Sequence, residues 1–156
     1  MPTADKIYSL EALIKKRQDW KDQKVVFTNG CFDILHLGHV DYLEKAGTKG
    51  DKLIVALNTD ASVSKLKGPT RPVNNQEARA RIIAALSFVD AVVFFSEQTP
   101  ISLIKQLIPD VLVKGSDYKI SNIVGADVVM GNGGKVETIE LVEGYSTTNI
   151  INKINQ

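Results

Sequence analysis

Apolar residues along the chain follow two rhythms that alternate from one end to the other. Val25-Val26-Phe27, Leu53-Ile54-Val55-Ala56-Leu57, Ala91-Val92-Val93-Phe94-Phe95 and Val111-Leu112-Val113 are continuous runs with the length and β-branched or aromatic composition of buried strands. Between them, apolar residues recur at three- and four-residue spacing, the mark of a helix with one buried face. The pattern predicts a helix after Ser9 with Leu10, Leu13 and Ile14 on its face, a strand at about 24–29, a helix to about 48 carrying Val40, Leu43 and Ala46, and a strand over 52–57. Asn58-Thr59-Asp60 caps a short helical stretch. Lys65 to Asn75, with Gly68, Pro69 and Pro72, is then a polar loop that cannot be a regular element and can fold over a ligand. The remainder reads as a helix over 76–86, a strand over 91–95, Thr99 as an N-cap with Pro100 at the first helical position, and a fourth strand over 110–114. A helix over 120–130, a turn at Asn132-Gly133-Gly134, a fifth strand over 136–141 and a last helix capped by Ser146 complete the pattern.

Strands alternating with helices predict an α/β chain, here one Rossmann-like domain over 1–156 with a five-stranded parallel sheet covered on both faces and 1–23 as an N-terminal helical extension. Such sheets bind ligands beyond the carboxyl ends of their strands. A chain of 156 residues buries roughly two thirds of its unfolded surface without staples. Nineteen basic residues balance 18 acidic ones, so no field of one sign draws in nucleic acid or an anionic membrane, and a small-molecule substrate fits better. The single cysteine, Cys31, excludes an internal disulfide and a multi-cysteine zinc site and suits a reducing compartment. Residues 1–24 hold no apolar core of signal-peptide length, and no apolar run approaches a membrane span, so a cytoplasmic protein is expected. There is no internal repeat or low-complexity segment.

The candidate chemistry sits where the first strand turns into its helix. Asn29-Gly30-Cys31-Phe32-Asp33-Ile34-Leu35-His36-Leu37-Gly38-His39 places the only two histidines three residues apart, sharing one face of the first helical turn. Glycines let a polyphosphate approach the backbone, and the exposed N–H groups and positive dipole end of a helix favour an anion. An H-x-G-H spacing at such a turn suits nucleotidyl transfer.

This string and three later blocks, Leu66-Lys67-Gly68-Pro69-Thr70-Arg71-Pro72-Val73-Asn74, Val113-Lys114-Gly115-Ser116-Asp117-Tyr118 and Gly144-Tyr145-Ser146-Thr147-Thr148-Asn149-Ile150-Ile151, resemble the cytidylyltransferase-like superfamily of nucleotidyltransferases. More narrowly, they resemble the adenylyltransferases that form ADP-heptose. H-x-G-H alone would not carry this, because class I aminoacyl-tRNA synthetases have a similar signature; the short, charge-balanced chain argues against a tRNA enzyme, and four blocks in order carry the resemblance. It implies transfer of AMP from ATP to D-glycero-β-D-manno-heptose 1-phosphate by direct in-line attack, giving ADP-heptose and pyrophosphate, with Mg²⁺ bound together with ATP and no metal held by a cluster of protein ligands. It also implies a homodimer, with the pathway kinase and phosphatase as separate chains.

By the same resemblance, His36, His39 and Lys67 are the catalytic set, acting on charge at the α-phosphorus. Asn29, Gly30, Phe32, Asp33 and Gly38 form the nucleotide-binding turn, Phe32 by packing and Asp33 either as a ligand or as a cap of the turn. Arg71 and Arg79 hold triphosphate or sugar phosphate, Arg presenting a fork suited to phosphate and Lys67 a mobile point charge. Lys114, Gly115, Asp117 and Tyr118 face the substrate, with Asp117 accepting from sugar hydroxyls; a simple β-turn is the plainer reading of that stretch, and Ser116 stands where the family commonly has glycine. Ser146, Thr147 and Thr148 hold the β- and γ-phosphates, three hydroxyls exceeding what a helix cap requires. Cys31 is read as a small buried residue, since the implied reaction has no covalent enzyme intermediate. Tyr145 and its neighbours lack the arginine of glycerol-3-phosphate cytidylyltransferases, which remain the alternative of the same reaction type. A non-catalytic nucleotide-binding module is the alternative of another class, and the intact H-x-G-H, Lys67 and hydroxyl triplet speak against it.

Overall fold

The computed structural model describes residues 1–156, folded around a sheet of six parallel strands. A 3₁₀ turn at Thr3–Lys6 leads into β1 (Ile7–Tyr8), followed by α1 (Leu10–Asp19), β2 (Val25–Gly30), α2 (Leu37–Gly47), β3 (Lys52–Asn58), α3 (Asp60–Lys67) and α4 (Gln76–Ala84). Then come β4 (Ala91–Phe95), α5 (Ile101–Leu107), β5 (Val111–Gly115), a 3₁₀ turn at Ile120–Asn122, α6 (Ala126–Gly131), β6 (Lys135–Ile139) and α7 (Thr147–Ile154). The strand order is β1-β4-β3-β2-β5-β6. Progression reverses between β2 and β5, which makes the gap beyond their carboxyl ends the topological switch point.

Both faces of every central strand are buried, which is why those strands read as unbroken apolar runs with no alternation. Val25, Phe27, Ile54, Ala56, Val93 and Leu112 share one core with Leu13 and Trp20 and with Leu103, Ile104, Leu107 and Val129, so α1, α5 and α6 cover one face. Val26, Leu53, Val55, Leu57, Val92 and Val113 pack against Tyr42, Leu43, Ala46, Ala80 and Ile83, so α2 and α4 cover the opposite face. At the amino ends of the strands, carboxylates take up otherwise unpaired amides: Asp110 accepts from Val25 N at 2.8 Å and Asp90 from Leu53 N at 2.8 Å. The carboxyl ends have no such closure and hold the loops of the site.

Four expectations need correction. The sheet has six strands, because Ile7 and Tyr8 pair with Val92 and Val93; a two-residue strand shows no periodicity and is visible only through its partner. The first 23 residues are therefore more than a helical extension. The polar loop begins at Gly68, since Lys65, Leu66 and Lys67 form the last turn of α3. Pro100 rather than Thr99 caps α5. The helix expected over 120–130 is divided: Gly125 has φ +87°, and a Cβ there would lie 2.6 Å from Ile104, so only a left-handed glycine lets α6 start so close to α5.

Candidate active site

The turn after β2 is built around a strained residue. Phe32 has φ +47°, a conformation that costs a bulky side chain energy and persists because the ring is buried, edge-on to His39 at 5.1 Å. That ring lies over Gly30, where a Cβ would come within 2.8 Å of it. His36 caps α2 in an extended conformation without a side-chain cap bond, leaving the first amides of the helix for a ligand. The imidazoles of His36 and His39 stack, centroids 3.7 Å apart and planes 23° apart. Both Nδ1 atoms are buried without a hydrogen-bond partner. Unpaired buried nitrogens are costly in a finished interior, and they mark this pair as built for more than packing. Burial pushes both imidazoles below the ordinary histidine value, His39 to about 4 with the neighbouring His36 adding to the effect, so neither carries a charge at neutral pH before a ligand arrives.

These rings face a cavity of about 640 Å³ at the switch point. Every residue expected to form the site lines it except one. Lys67 and Arg71 stand on the β3 side, Ser146, Thr147 and Thr148 at the start of α7, and Gly115, Asp117 and Tyr118 beyond β5. Ser146 Oγ accepts from Asn149 N at 3.0 Å, so its hydroxyl caps α7 while its own proton remains free to donate. Lys114 Nζ donates to Asn29 O and Oδ1, both at 3.3 Å, and lies 5.2 Å from the centroid of the Tyr118 ring. Burial lowers the Lys114 pKa, and Asp117 partly counters it.

The exception is Arg79. Its side chain is wholly buried and donates to Asn74 O, Cys31 O and Asp60 Oδ1 at 3.0, 2.8 and 2.9 Å. With its fork spent on the motif turn, the loop and α3, it is a strut beneath the site and not a phosphate ligand. Asp33 is likewise committed. Its carboxylate, 2% exposed with the rest of the residue, accepts from Val73 N, Asn74 N and Arg71 Nε at 2.8–3.0 Å, while its carbonyl accepts from Asn74 Nδ2. Burial works to raise its pKa, but the two amides and the guanidinium outweigh it and hold the carboxyl below the usual range. Of the two readings open for Asp33, the geometry is that of a cap, one that fastens a loop 38 to 41 residues away. Cys31, half-buried at the cavity wall, has its thiol pKa raised by burial.

Sequence reasoning gave no binding role to Tyr42, Asn58, Gln98 or Tyr145, all of which line the cavity. Tyr42 joins β2 to β5 through Thr28 Oγ1 at 2.7 Å and Val113 O at 3.1 Å. Asn58 ends β3 as Asn29 nearly ends β2, and Gln98 follows β4; their place at strand carboxyl ends was the available signal.

The cytidylyltransferase-like family model matches residues 27–153. The chain is 54% identical over 153 residues to the bifunctional protein HldE of Methylobacillus flagellatus, an alignment covering 97% of this chain and 31% of that one. It is 55% identical to HldE of Caulobacter vibrioides, covering 99% of this chain and 32% of the relative. The chain thus spans about a third of the length of the curated relatives it matches. Among solved structures, the lipopolysaccharide core biosynthesis protein of Thermoplasma volcanium GSS1 is similar at TM-score 0.61 and 27% identity, over 80% of this chain and 99% of that one.

Proposed function

The chain belongs to the cytidylyltransferase-like family of nucleotidyltransferases, and from that premise we propose that it transfers AMP from ATP to D-glycero-β-D-manno-heptose 1-phosphate, releasing pyrophosphate. The observation that carries the chemistry is the stacked pair of neutral imidazoles with unpartnered Nδ1 atoms at the helix end facing the cavity. The acceptor rests on the four blocks that resemble ADP-heptose-forming adenylyltransferases, on the high identity to HldE proteins and on the likeness to a lipopolysaccharide core biosynthesis protein.

On this reading the α-phosphate sits at His36, His39 and the amino end of α2, with the β- and γ-phosphates between Lys67, Arg71 and the Ser146-Thr147-Thr148 end of α7. The apolar wall of Leu141, Val142 and Tyr145 takes the base, and Asp117 accepts from a sugar hydroxyl at its edge. The sugar phosphate brings an ionised oxygen nucleophile, so the protein's part is alignment and stabilisation of charge, with no strong general base needed. An oxygen of the acceptor phosphate forms the new bond to the α-phosphorus as the bond to the bridging oxygen of pyrophosphate breaks on the opposite side. Charge growing on the α-phosphoryl oxygens is met by imidazole N–H groups held in place by the fold, which makes the interaction stronger in the transition state than in the ground state. Asp33 accepts from three donors already and no set of three or more His, Cys, Asp or Glu side chains converges, so Mg²⁺ would enter together with ATP and would add charge neutralisation to that of Lys67 and Arg71.

The family resemblance also brings the expectation of a homodimer, and an ATP-dependent reaction agrees with our reading of a cytoplasmic protein. The deciding experiment offers each nucleoside triphosphate with a panel of sugar phosphates and follows pyrophosphate. Release is expected with ATP and the heptose phosphate; turnover confined to another pair overturns the assignment.

A further inference from the structure

Beside the main cavity lies a smaller chamber of about 150 Å³, and the two share Asn29, Gln98, Lys114 and Tyr118 in their walls. Side chains alternate along a strand, so Asn29 lies on the face of Phe27 and Lys114 on the face of Leu112, which is the face packed by α5 and α6. The chamber therefore lies across the sheet edge from α2 and its histidines. Thr99, Pro100, Asn122, Ile123 and Val124 contribute the rest of its polar and apolar wall.

The chemistry of this wall differs from that of the phosphate half. There, Lys67, Arg71 and two helix ends supply positive charge. Here, Asn29, Gln98, Asn122 and Thr99 line the chamber beside a single ammonium, Lys114, that already donates to Asn29. A carboxamide both donates and accepts, as a hydroxyl does, whereas a phosphate dianion only accepts, so it would use the amide NH2 groups alone and leave their oxygens without a partner. The volume is that of about five waters, at roughly 30 Å³ of liquid each, which suits a short hydroxylated tail.

We propose that this chamber is the specificity pocket for the acceptor: it receives the exocyclic hydroxylated tail of the heptose, with Gln98 and Asn122 distinguishing a heptose 1-phosphate from a hexose 1-phosphate. The assignment rests on the function proposed above and adds to it the residues that choose the sugar. A hexose lacks the terminal hydroxymethyl carbon and leaves the carboxamides without their partner. A site built to bond a hydroxyl rejects the analogue without it far better than an apolar slot rejects a missing methylene.

The test compares kcat/KM for D-glycero-β-D-manno-heptose 1-phosphate and β-D-mannose 1-phosphate, with saturating ATP and Mg²⁺, in the unaltered protein and in Gln98→Ala, Asn122→Ala and Asn122→Phe. The unaltered protein is expected to prefer the heptose by about tenfold or more. Each alanine variant removes one or two hydrogen bonds, so it is expected to lower the heptose value about 5- to 30-fold and to bring the ratio of the two acceptors towards one. Asn122→Phe fills the chamber and penalises the heptose more than the mannose. The ATP KM and the thermal midpoint report a variant that has lost its fold. Parallel loss on both acceptors, or an unchanged ratio, overturns the pocket assignment and leaves the adenylyltransferase reading in place. No pyrophosphate from either acceptor in the unaltered protein overturns that reading and this inference with it.

Discussion

His39 is the residue from which most can be predicted. Its imidazole is partly desolvated, stacked on His36 and lacks a partner at Nδ1, so its contribution lies in the charge that develops during attack. His39→Ala is expected to lower kcat by at least about a hundredfold while ATP affinity stays within about tenfold. Equal losses in binding and turnover, read from ATP titration and single-turnover kinetics, would make it a ground-state ligand. The same desolvation ties stability to pH. With a folded value of about 4 against an ordinary 6.5, the unfolded chain takes up the His39 proton first. The stability associated with neutral His39 is complete above about pH 6.5 and declines as pH falls towards 4, by an amount on the order of 2–3 kcal/mol. Asp33 acts in a lower window: its depressed folded value contributes stability above the ordinary carboxylate pKa and loses it as pH falls through the folded one. Urea unfolding from pH 7.5 to 4 should show the upper decline, and His39→Gln should flatten most of it; an equally steep decline in the variant assigns the titration elsewhere.

At the scale of elements, the segment that read as a lid is a fastened loop. Proline and glycine mark irregular chain, and that reading is correct for Gly68 to Asn75. What the sequence does not display is that Asp33, in another block, accepts from Val73 and Asn74, or that Arg79 holds Asn74 from below. Long-range bonds of a carboxylate leave no local pattern, and an arginine on the buried face of α4 looks like any cation until its surroundings are known. The same limit hid β1, whose two residues become a strand only beside β4, and the interruption at Gly125, whose cause is Ile104 on a different helix. By contrast, the other five strands and the helix starts at Ser9, Thr59, Asn75 and Ser146, where a side chain bonds the first turn, follow from adjacent residues and were legible. Asp33→Asn keeps one acceptor oxygen but loses the charge opposite Arg71, and is expected to cost about 2–4 kcal/mol of stability and to expose 68–75 to protease without ligand. Unaltered cleavage and a stability change under about 1 kcal/mol would show that the loop holds itself.

Across the whole molecule, the parallel order places the strand ends on one rim, and the blocks found in the sequence meet there because each lies in the segment that follows or ends a strand. That convergence was legible from alternation alone; the choice of base and acceptor was not, because it depends on cavity walls drawn from β4, β5 and β6 together. The apolar wall of Leu141, Val142 and Tyr145 presents no cation to a base, and the wall near Lys114 presents carboxamides suited to hydroxyls. ATP with heptose 1-phosphate is therefore expected to turn over faster than CTP with glycerol 3-phosphate. Glycerol 3-phosphate reaches the α-phosphorus with the same ionised group but leaves the side chamber empty. Its deficit should appear mainly in KM for the acceptor, on the order of tenfold for each hydroxyl hydrogen bond it cannot make. Pyrophosphate release for the four pairings of ATP or CTP with the two acceptors separates the cases. Faster release with CTP and glycerol 3-phosphate would replace the heptose assignment with the cytidylyltransferase one while leaving His36, His39 and Lys67 in their roles. No release from any pair, with ATP still bound tightly, would instead mark the chain as a nucleotide-binding module.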